Sequence, residues 1–453
     1  MFLPLSSHVK VILHFLTISL SFAHDFAQAL LTPRDLTATS AMSSLPAASS
    51  ANARPEFDLI TRRTCLSVDG GGLRGVFPAA ILAHVEQNLG KPISSVFTAG
   101  LTGTSTGALI VLGLAAFSRT SNPFAVGTTG VQPLFTAQEL VNFYKDHKSE
   151  IFNDHCCLGC QDNNPQDSTG HNCTCCSCFG NCLKKMFWNC LTCLGCCSVE
   201  NCCGLCGSRY DRSHFEQLLR ATFGDRKLKD VLVPVQVVTF DLLSNSPIVF
   251  NSVDHGDMSM VDVALASTAA PTFFPPVEIK DSRGVVYQCV DGGMHENNPV
   301  FSALAFTIEN YRKEFGNELD LNSIRILSVG TGRKNRIASF DGFNRSGLCG
   351  LVRPIIEISL DGTSEAAHRN IAHILGKNEN YVRIQVNLDS QDSKMDDPKV
   401  VNHLHGVANQ LCSSHTELRM FLQYLSHGQL LPEEDRDNTG NVSQFAQGLL
   451  SDL

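Results

Sequence analysis

From residue 64 onward, short apolar runs alternate with longer segments whose apolar positions recur at helical spacing. The run Cys65–Val68 stops at three glycines, which predicts a short buried strand. Val76–Leu89 predicts an amphipathic helix, and Val96–Thr102 predicts a second strand. The apolar segment Ala108–Phe117 predicts a second helix. This part of the chain therefore indicates a strand, a helix, a strand and a helix.

The same alternation resumes after residue 208. His214–Phe223 predicts a helix, Val231–Phe240 a long strand and Val261–Ala269 an alanine-rich helix. Two further strands, Val285–Val290 and Ile324–Val329, each run into a turn that contains glycine. Strands that alternate with helices are typical of an α/β fold with a largely parallel sheet. Because parallel crossovers are right-handed, helices are expected on both faces of that sheet.

Composition narrows the class of protein without changing this fold. Of the 453 residues, 43% are apolar, which is enough for a sizeable buried core. The net charge is −9 and no polybasic block is present, which argues against a protein that binds nucleic acid through phosphate contacts. No apolar run reaches the ~18 residues that a membrane span needs. These features indicate a globular protein that is soluble or peripherally attached to a membrane.

Both ends of the chain differ from this body. Residues 1–23 carry Lys10, then the apolar stretch Val11–Ala23 with a small-x-small ending, which predicts a secretory signal peptide although His14 weakens the pattern. Residues 24–63 predict a flexible linker, and residues 426–453 a polar tail. We therefore expect a secretory or extracellular protein. Organelle import, or a cytoplasmic location with membrane attachment, remains the alternative.

Cysteine usage separates one segment from the rest. Of 19 cysteines, 15 lie between Cys156 and Cys206, so residues 154–207 are interpreted as a Cys-rich insert between residues 64–153 and 208–425. In an oxidising compartment the insert would be disulfide-bonded, whereas in a reducing one its repeated CxxC pairs would suit zinc. Thiols that flank the apolar segment 183–188 are also candidates for S-acylation. The apolar leader favours disulfides.

The first candidate for chemistry is Gly103-Thr104-Ser105-Thr106-Gly107, between a predicted strand and a predicted helix. It fits the G-x-S-x-G pattern, in which a tight strand-to-helix turn lifts the serine hydroxyl clear of its neighbours. The flanking glycines avoid collisions with adjacent elements, and the following helix directs its dipole at the nucleophile. A plain glycine-rich turn is the competing interpretation, but the strand and helix context favours a nucleophile.

A second glycine-rich turn, Asp69 to Gly75, also follows a strand and opens a helix. Gly70, Gly72 and Gly75 fit the dinucleotide pattern G-x-G-x-x-G, which needs an acid about 20 residues further on. From Gln87 to Gln138 the chain has no Asp or Glu. Successive backbone N–H groups would equally serve as an oxyanion hole for an acyl intermediate, which is the interpretation we favour.

Two charged residues accompany these turns. Arg74, within the glycine-rich turn, would orient the turn or meet an anionic head group, with a surface ion pair as the simpler role. Asp291 ends a predicted strand and precedes Gly292 and Gly293. If the strands are all parallel, its carboxylate emerges at the same sheet edge as Ser105 and is a candidate base, whereas a β-turn is the simpler interpretation.

Taken in order, DGGGLRG at 69–75, GTSTG at 103–107 and DGG at 291–293 resemble the patatin-like phospholipase family. The similarity extends over roughly residues 64–425, apart from the insert. It includes stretches at 133–152, 208–250, 263–276, 297–299 and 381–385.

The resemblance implies a three-layer α/β/α sandwich with a mostly parallel central sheet. It further implies a lipid acyl hydrolase with Ser105 as nucleophile, Asp291 as base and Gly70, Gly71 and Gly72 as oxyanion donors. Acyl esters of phospholipids or galactolipids would be cleaved through an acyl-enzyme, without a metal or other cofactor. The expected partner is a membrane or lipid aggregate, with peripheral contact.

Other interpretations stay open at this stage. His295 could turn the Ser–Asp pair into a triad, but we favour a loop histidine. The chain could be a storage or defence protein, or a Cys-rich binding module, built on a vestigial hydrolase scaffold. An NAD-dependent oxidoreductase is disfavoured by the missing acid.

Overall fold

The structure is a computed structural model that describes residues 63–118, 132–152, 208–316, 321–335, 343, 348–376, 380–389 and 394–427. The predicted signal peptide, nearly all of the predicted linker, the Cys-rich insert and nearly all of the polar tail lie outside these residues. None of the described helices is long and apolar enough to cross a bilayer.

Eight strands form the central sheet, in the order β5-β6-β3-β2-β1-β7-β9, with β4 on the free edge of β3. Six of the eight run in one direction, while β4 and β6 run the opposite way. The strands are β1 Thr64–Val68, β2 Gly100–Thr104, β3 Val235–Asp241, β4 Ser246–Asn251, β5 Val277–Lys280, β6 Val286–Asp291, β7 Arg325–Val329 and β9 Tyr381–Ile384, with β8 Arg333–Lys334 and β10 Asn387–Leu388 forming a separate pair.

Helices cover both faces of the sheet, and successive residues of β1 and β7 belong to two different buried clusters. Cys65 and Ile326 belong to the smaller cluster with the helices Val300–Phe315 and Leu348–Leu375, whereas Leu66 and Leu327 belong to the larger one on the other face. The predicted three-layer α/β/α sandwich is therefore confirmed. The helices are α1 Val76–Leu89, α2 Ile93–Val96, α3 Thr106–Ala115, α4 Ala137–Asp146, α5 Lys148–Ile151, α6 Ser213–Phe223, α7 Met260–Ser267, α8 Gly293–Glu296, α9 Val300–Phe315, α10 Leu348–Leu375, α11 Val400–Ser414 and α12 Thr416–His427, with short 3₁₀ helices at Gly72–Gly75 and Leu321–Ser323.

The direction of β6 corrects one expectation from sequence. We expected Asp291 to reach the active edge on a parallel strand, and this is wrong, because β6 pairs with β3 antiparallel. Since β4 pairs along one edge of β3, β2 and β6 share the other edge. Thr104 pairs with Val238 and Asp291 with the next residue, Thr239, so β2 and β6 run towards each other and their carboxyl ends meet.

The predicted elements are confirmed with small shifts at their ends. Helix α1 begins and ends as predicted, but strand β3 begins at Val235 rather than Val231. Pro234, which lacks an N–H, precedes that strand, and Leu232 instead donates its N–H to Ala115 O at 2.7 Å. Val96, which we assigned to a strand, ends the short helix α2 that begins after Pro92.

Candidate active site

Ser105 lies at the junction of β2 and α3 in a strained backbone conformation. Its φ of 54° and ψ of −120° lie in a region that L-residues rarely occupy. Its N–H donates to Ser267 Oγ at 2.8 Å, and the Ser267 hydroxyl donates to Val238 O at 2.7 Å. Ser267 thus joins the serine turn to the middle of the neighbouring strand β3.

The two glycines of the serine motif are required by close backbone approach. A Cβ on Gly107 would lie 2.1 Å from Val68 O, and a Cβ on Gly103 would lie 2.3 Å from Gly107 O. Larger residues at either position would push α3 away from β1 and β2 and would displace Ser105.

The Asp291 carboxylate lines the same cleft as Ser105 and accepts a hydrogen bond of 2.7 Å from the Gly293 N–H. Burial raises the pKa of the Asp291 carboxyl to about 6, while the Ser105 hydroxyl and the Gly293 N–H act in the opposite direction. Gly292 leaves no room for a side chain, since its Cβ would lie 2.5 Å from Val238 O. The structure therefore places the sequence-predicted serine and aspartate in the same cleft.

The glycine-rich turn faces the same cleft, with one change to the expected set of donors. Gly71 and Gly72 line the cleft. The Gly70 N–H is already occupied, because it donates to the backbone carbonyl of Asn297 at 3.1 Å. Among the described residues we find no acceptor for the N–H groups of Gly71 and Gly72. The expectation that Gly70 is an oxyanion donor is therefore not met, because its N–H is already bonded to the Asn297 carbonyl.

Residues far away in the sequence hold this turn in place. The Asp69 carboxylate accepts hydrogen bonds from both terminal nitrogens of Arg383, at 2.6 and 2.5 Å, and from the Ser364 hydroxyl at 2.9 Å. The Thr331 hydroxyl donates to Gly70 O at 2.6 Å, and Leu73 donates its N–H to Met395 O at 2.8 Å.

Arg74 is buried and does not line the cleft. Its Nε donates to Gly71 O at 3.4 Å, which is consistent with the predicted orienting role and not with a surface ion pair. Burial lowers the pKa of its guanidinium, against the attraction of Asp361, Glu357 and Asp69. The next residue, Gly75, packs against α4, where a Cβ would lie 2.5 Å from the Tyr144 hydroxyl.

Two adjacent asparagines differ in role, which the sequence alone did not reveal. Asn297 lines the cleft, and a Cβ placed on Gly70 would lie 2.5 Å from its Oδ1 and 3.1 Å from Ser105 Cβ. Asn298 is fully buried, and its Oδ1 accepts hydrogen bonds from Ser67 on β1 and Ser328 on β7. One asparagine therefore borders the nucleophile while the other joins two strands.

His295 is not part of the Ser–Asp pair. Its ring nitrogens are shielded from solvent and have no hydrogen-bond partner among the described residues, and its ring lies 5.7 Å from the Phe240 ring. Burial lowers the pKa of His295 to about 4. A neutral, unpartnered ring cannot relay a proton between Ser105 and Asp291, so the geometry does not provide a triad.

The cleft around Ser105 has a volume of about 740 Å³, including the part that opens to solvent. Its walls are largely apolar, and Ser105, Asp291 and Asn297 are among the few polar residues that line it. The larger apolar lining residues are Leu109, Ile151, Phe152, Phe215, Phe273, Phe274, Met294, Ile356, Leu360 and Met395. Such a cleft suits a long apolar substrate with one polar reacting group.

Two described residues that flank the Cys-rich insert in sequence lie together beside this cleft. Phe152, just before the insert, and Tyr210, just after it, have ring centroids 5.1 Å apart. The Tyr210 hydroxyl and Arg209 both contact the Asp396 carboxylate, at 2.8 and 2.6 Å, next to the cleft residue Met395.

A strained serine, a buried carboxylate and free backbone N–H groups at one end of an α/β sheet are the parts of a serine acyl-hydrolase site.

A family model described as patatin-like phospholipase matches residues 203–304, a stretch that contains Asp291 but not Ser105. Patatin-like protein 2 of Arabidopsis thaliana is 28% identical over 375 residues, which cover 75% of this chain and 80% of that protein. Patatin-like protein 3 of the same plant is 29% identical over 357 residues, covering 71% and 73%.

The chain is similar to patatin-like phospholipases over about 75% of its length, as the order of its three motifs implied. This similarity supports lipid acyl hydrolase activity in general terms. The crystal structure of VipD from Legionella pneumophila is a distant match, with a TM-score of 0.30 and 14% identity over 78% of this chain and 67% of that one.

Proposed function

We propose that the protein hydrolyses acyl esters of glycerolipids through an acyl-enzyme on Ser105, with Asp291 as the base. The observation that carries this proposal is that Ser105, at a strained turn, and the buried Asp291 carboxylate line the same cleft, where the serine hydroxyl lowers the pKa of that carboxyl. The apolar cleft beside the pair suits the acyl chains of phospholipids or galactolipids.

In the first step, Ser105 Oγ attacks the ester carbonyl carbon while Asp291 takes the hydroxyl proton. The carbonyl oxygen becomes an oxyanion, and we assign its stabilisation to the N–H groups of Gly71 and Gly72. When the tetrahedral intermediate collapses, the carbon–oxygen bond to the alcohol breaks and Asp291 returns the proton to the departing oxygen. The acyl group is left on Ser105.

In the second step, water attacks the acyl-enzyme and transfers a proton to Asp291. Collapse of this second intermediate releases a fatty acid, and the proton returns to Ser105 Oγ. The same oxyanion donors act on both intermediates. Because Asp291 takes and returns the proton in both steps, no further group is needed for the proton balance.

A carboxylate can serve as base here because burial strengthens it. The raised pKa of Asp291, about 6, narrows the gap to the serine hydroxyl relative to an ordinary aspartate. Preorganised oxyanion donors supply the larger part of the stabilisation, since one such donor contributes roughly 3–4 kcal/mol.

The test combines a fluorophosphonate ester probe with assays of fatty-acid release from phosphatidylcholine and a galactolipid. We expect a probe adduct on Ser105, its loss in Ser105→Ala, and no lipid turnover in that variant. Ser95→Ala changes an exposed serine on α2 and is the matched control, with wild-type labelling expected. A folded wild-type protein that neither reacts with the probe nor releases fatty acid would disprove the proposal.

A further inference from the structure

The turn between β3 and β4 exposes two leucines where turns normally carry polar residues. Leu242 is 41% exposed and Leu243 is 57% exposed. They follow directly after the last residue of β3, so they form the tip of the hairpin. Turn positions favour Gly, Asn, Asp and Ser, which solvate well, and two consecutive exposed leucines are costly there.

This turn is held rigid by the carboxylate of Asp241. It accepts hydrogen bonds from the N–H of Leu243 at 3.2 Å, the N–H of Ser244 at 2.9 Å and the Ser244 hydroxyl at 2.6 Å. It also accepts the Gln288 N–H at 2.8 Å, which joins the turn to β6. The leucines are therefore presented by a fixed backbone and are not exposed by a loose loop.

A third exposed apolar residue lies at the tip of the adjacent hairpin. Val285, between β5 and β6, is 44% exposed. The two hairpins are hydrogen-bonded to each other, because Leu242 donates its N–H to Gln288 O at 2.7 Å. We call Leu242, Leu243 and Val285 the apolar tips.

The apolar tips extend beyond the end of the sheet that carries the cleft. Asp291 pairs with Thr239, so Leu242 lies three residues, or about 10 Å of strand, further along β3. Val285 lies six residues, or about 20 Å of strand, from Asp291 in the same direction along β6. Two other exposed apolar residues of this region, Leu232 and Val253, lie past the opposite end of β3.

We propose that the apolar tips dock the protein on the surface of a lipid aggregate. This inference rests on the proposed function, because a lipid acyl hydrolase must meet its substrate at such a surface. All three side chains are purely aliphatic, which suits insertion among acyl chains. Their rigid presentation means that little conformational entropy is lost on docking.

The charges around the tips indicate which lipids should be bound. Arg283 pairs with Asp281 at 2.7 Å, and Lys280 lies 3.8 Å from Glu278. Because each cation near Val285 has a carboxylate beside it, the surface has no excess positive charge to attract anionic lipids. Binding should therefore occur on zwitterionic or uncharged lipid surfaces and depend little on salt.

The experiment measures flotation of the full chain with phosphatidylcholine vesicles. Every protein carries Ser105→Ala, so hydrolysis cannot alter the vesicles. Leu242→Ser with Leu243→Ser is expected to lower the vesicle-bound to free ratio about tenfold or more, since each buried methylene contributes about 0.8 kcal/mol. Leu232→Ser with Val253→Ser, at the opposite end of β3, is the matched control and should bind like the parent.

A second measurement does not depend on the serine variants folding well. Leu243→Trp should shift its fluorescence to the blue when vesicles are added, because indole partitions into the membrane interface. Val253→Trp should show no shift. The signal of the natural Trp188 is subtracted with the parent protein.

Several results would overturn the docking proposal: no vesicle binding by the parent, equal loss in the control pair, or equal shifts for the two tryptophans. A serine pair that only abolishes self-association in size-exclusion chromatography would instead assign the tips to contact between copies. Hydrolysis of a soluble short-chain ester is measured separately, in proteins that keep Ser105 and carry the same substitutions at the apolar tips. Failure of that reaction in the wild type would refute the proposed function and leave the docking result standing.

Discussion

Asp69 and Arg383 form a buried ion pair that joins the glycine-rich turn to strand β9. Both terminal guanidinium nitrogens contact the carboxylate, at 2.6 and 2.5 Å, and both side chains are almost fully buried. Arg383 also donates to Ser328 and Ser364, so its charge lies within a continuous polar network. The residue that positions the predicted oxyanion donors is therefore more than 300 positions away in sequence.

Arg383→Met should destabilise the protein strongly. It leaves the Asp69 carboxylate buried without its partner, and the cost of such a change is about 3–5 kcal/mol. Urea unfolding of the variant and the wild type measures this loss of stability. Arg333→Met is the matched control, because the Arg333–Glu365 pair is exposed and should contribute less than about 1 kcal/mol. Equal losses for the two variants would contradict the structural role of the buried pair.

The rate of ester hydrolysis should depend on the ionisation of Asp291. The base must be unprotonated, and its pKa is raised to about 6, so kcat/KM should rise with pH up to about 6 and then level off. Burial also raises the pKa of Glu296, to about 7, but this carboxylate accepts hydrogen bonds from Ser302 on α9. Glu296→Gln should therefore keep the same apparent pKa. If the apparent pKa of the rate profile changed in Glu296→Gln, the titrating group would be Glu296 and not Asp291.

Asp291→Asn should remove turnover and yet stabilise the fold at neutral pH. Burial raises the pKa of the Asp291 carboxyl from 3.8 to about 6. The contribution of Asp291 to the free energy of unfolding is therefore fully present below about pH 4 and is lost as the pH rises through 6. The variant should exceed the wild type by on the order of 1–3 kcal/mol at pH 8, and the pH-dependent part of this difference should disappear below pH 4. Urea unfolding at the two pH values measures this. A variant that is less stable at pH 8 would show that the charged carboxylate is fully compensated.

The two adjacent asparagines should separate catalysis from stability. Asn297→Ala alters the cleft beside Ser105 while leaving the backbone carbonyl that holds Gly70, so it should lower kcat about tenfold or more with little change in Tm. Asn298→Ala removes the acceptor shared by Ser67 and Ser328 and should cost about 1–3 kcal/mol of stability. Thermal unfolding with steady-state kinetics distinguishes them, and identical behaviour of both variants would refute the division.

Much of the fold followed from local pattern. The bounds of α1 match the apolar periodicity, and the strand–serine–helix context of Ser105 agrees with the turn that the structure shows. The segments around Asn297 and Arg383 resemble the family, but the sequence assigns neither residue a role. Their signals were absent because a single asparagine or arginine in a sequence does not indicate which distant group it contacts.

By itself, the sequence determined the order of the elements and the motif residues Ser105 and Asp291, because periodicity and turn chemistry act over a few residues. Only the tertiary structure decided that β6 runs antiparallel so that Asp291 meets Ser105 from the opposite direction. It also decided that the Gly70 N–H is taken by Asn297, which leaves Gly71 and Gly72 facing the cleft. Strand direction and hydrogen-bond partners depend on distant contacts. Thr239 pairs with Asp291 across 52 positions, Gly70 meets Asn297 across 227, and Asp69 meets Arg383 across 314, and local pattern carries no record of these pairings.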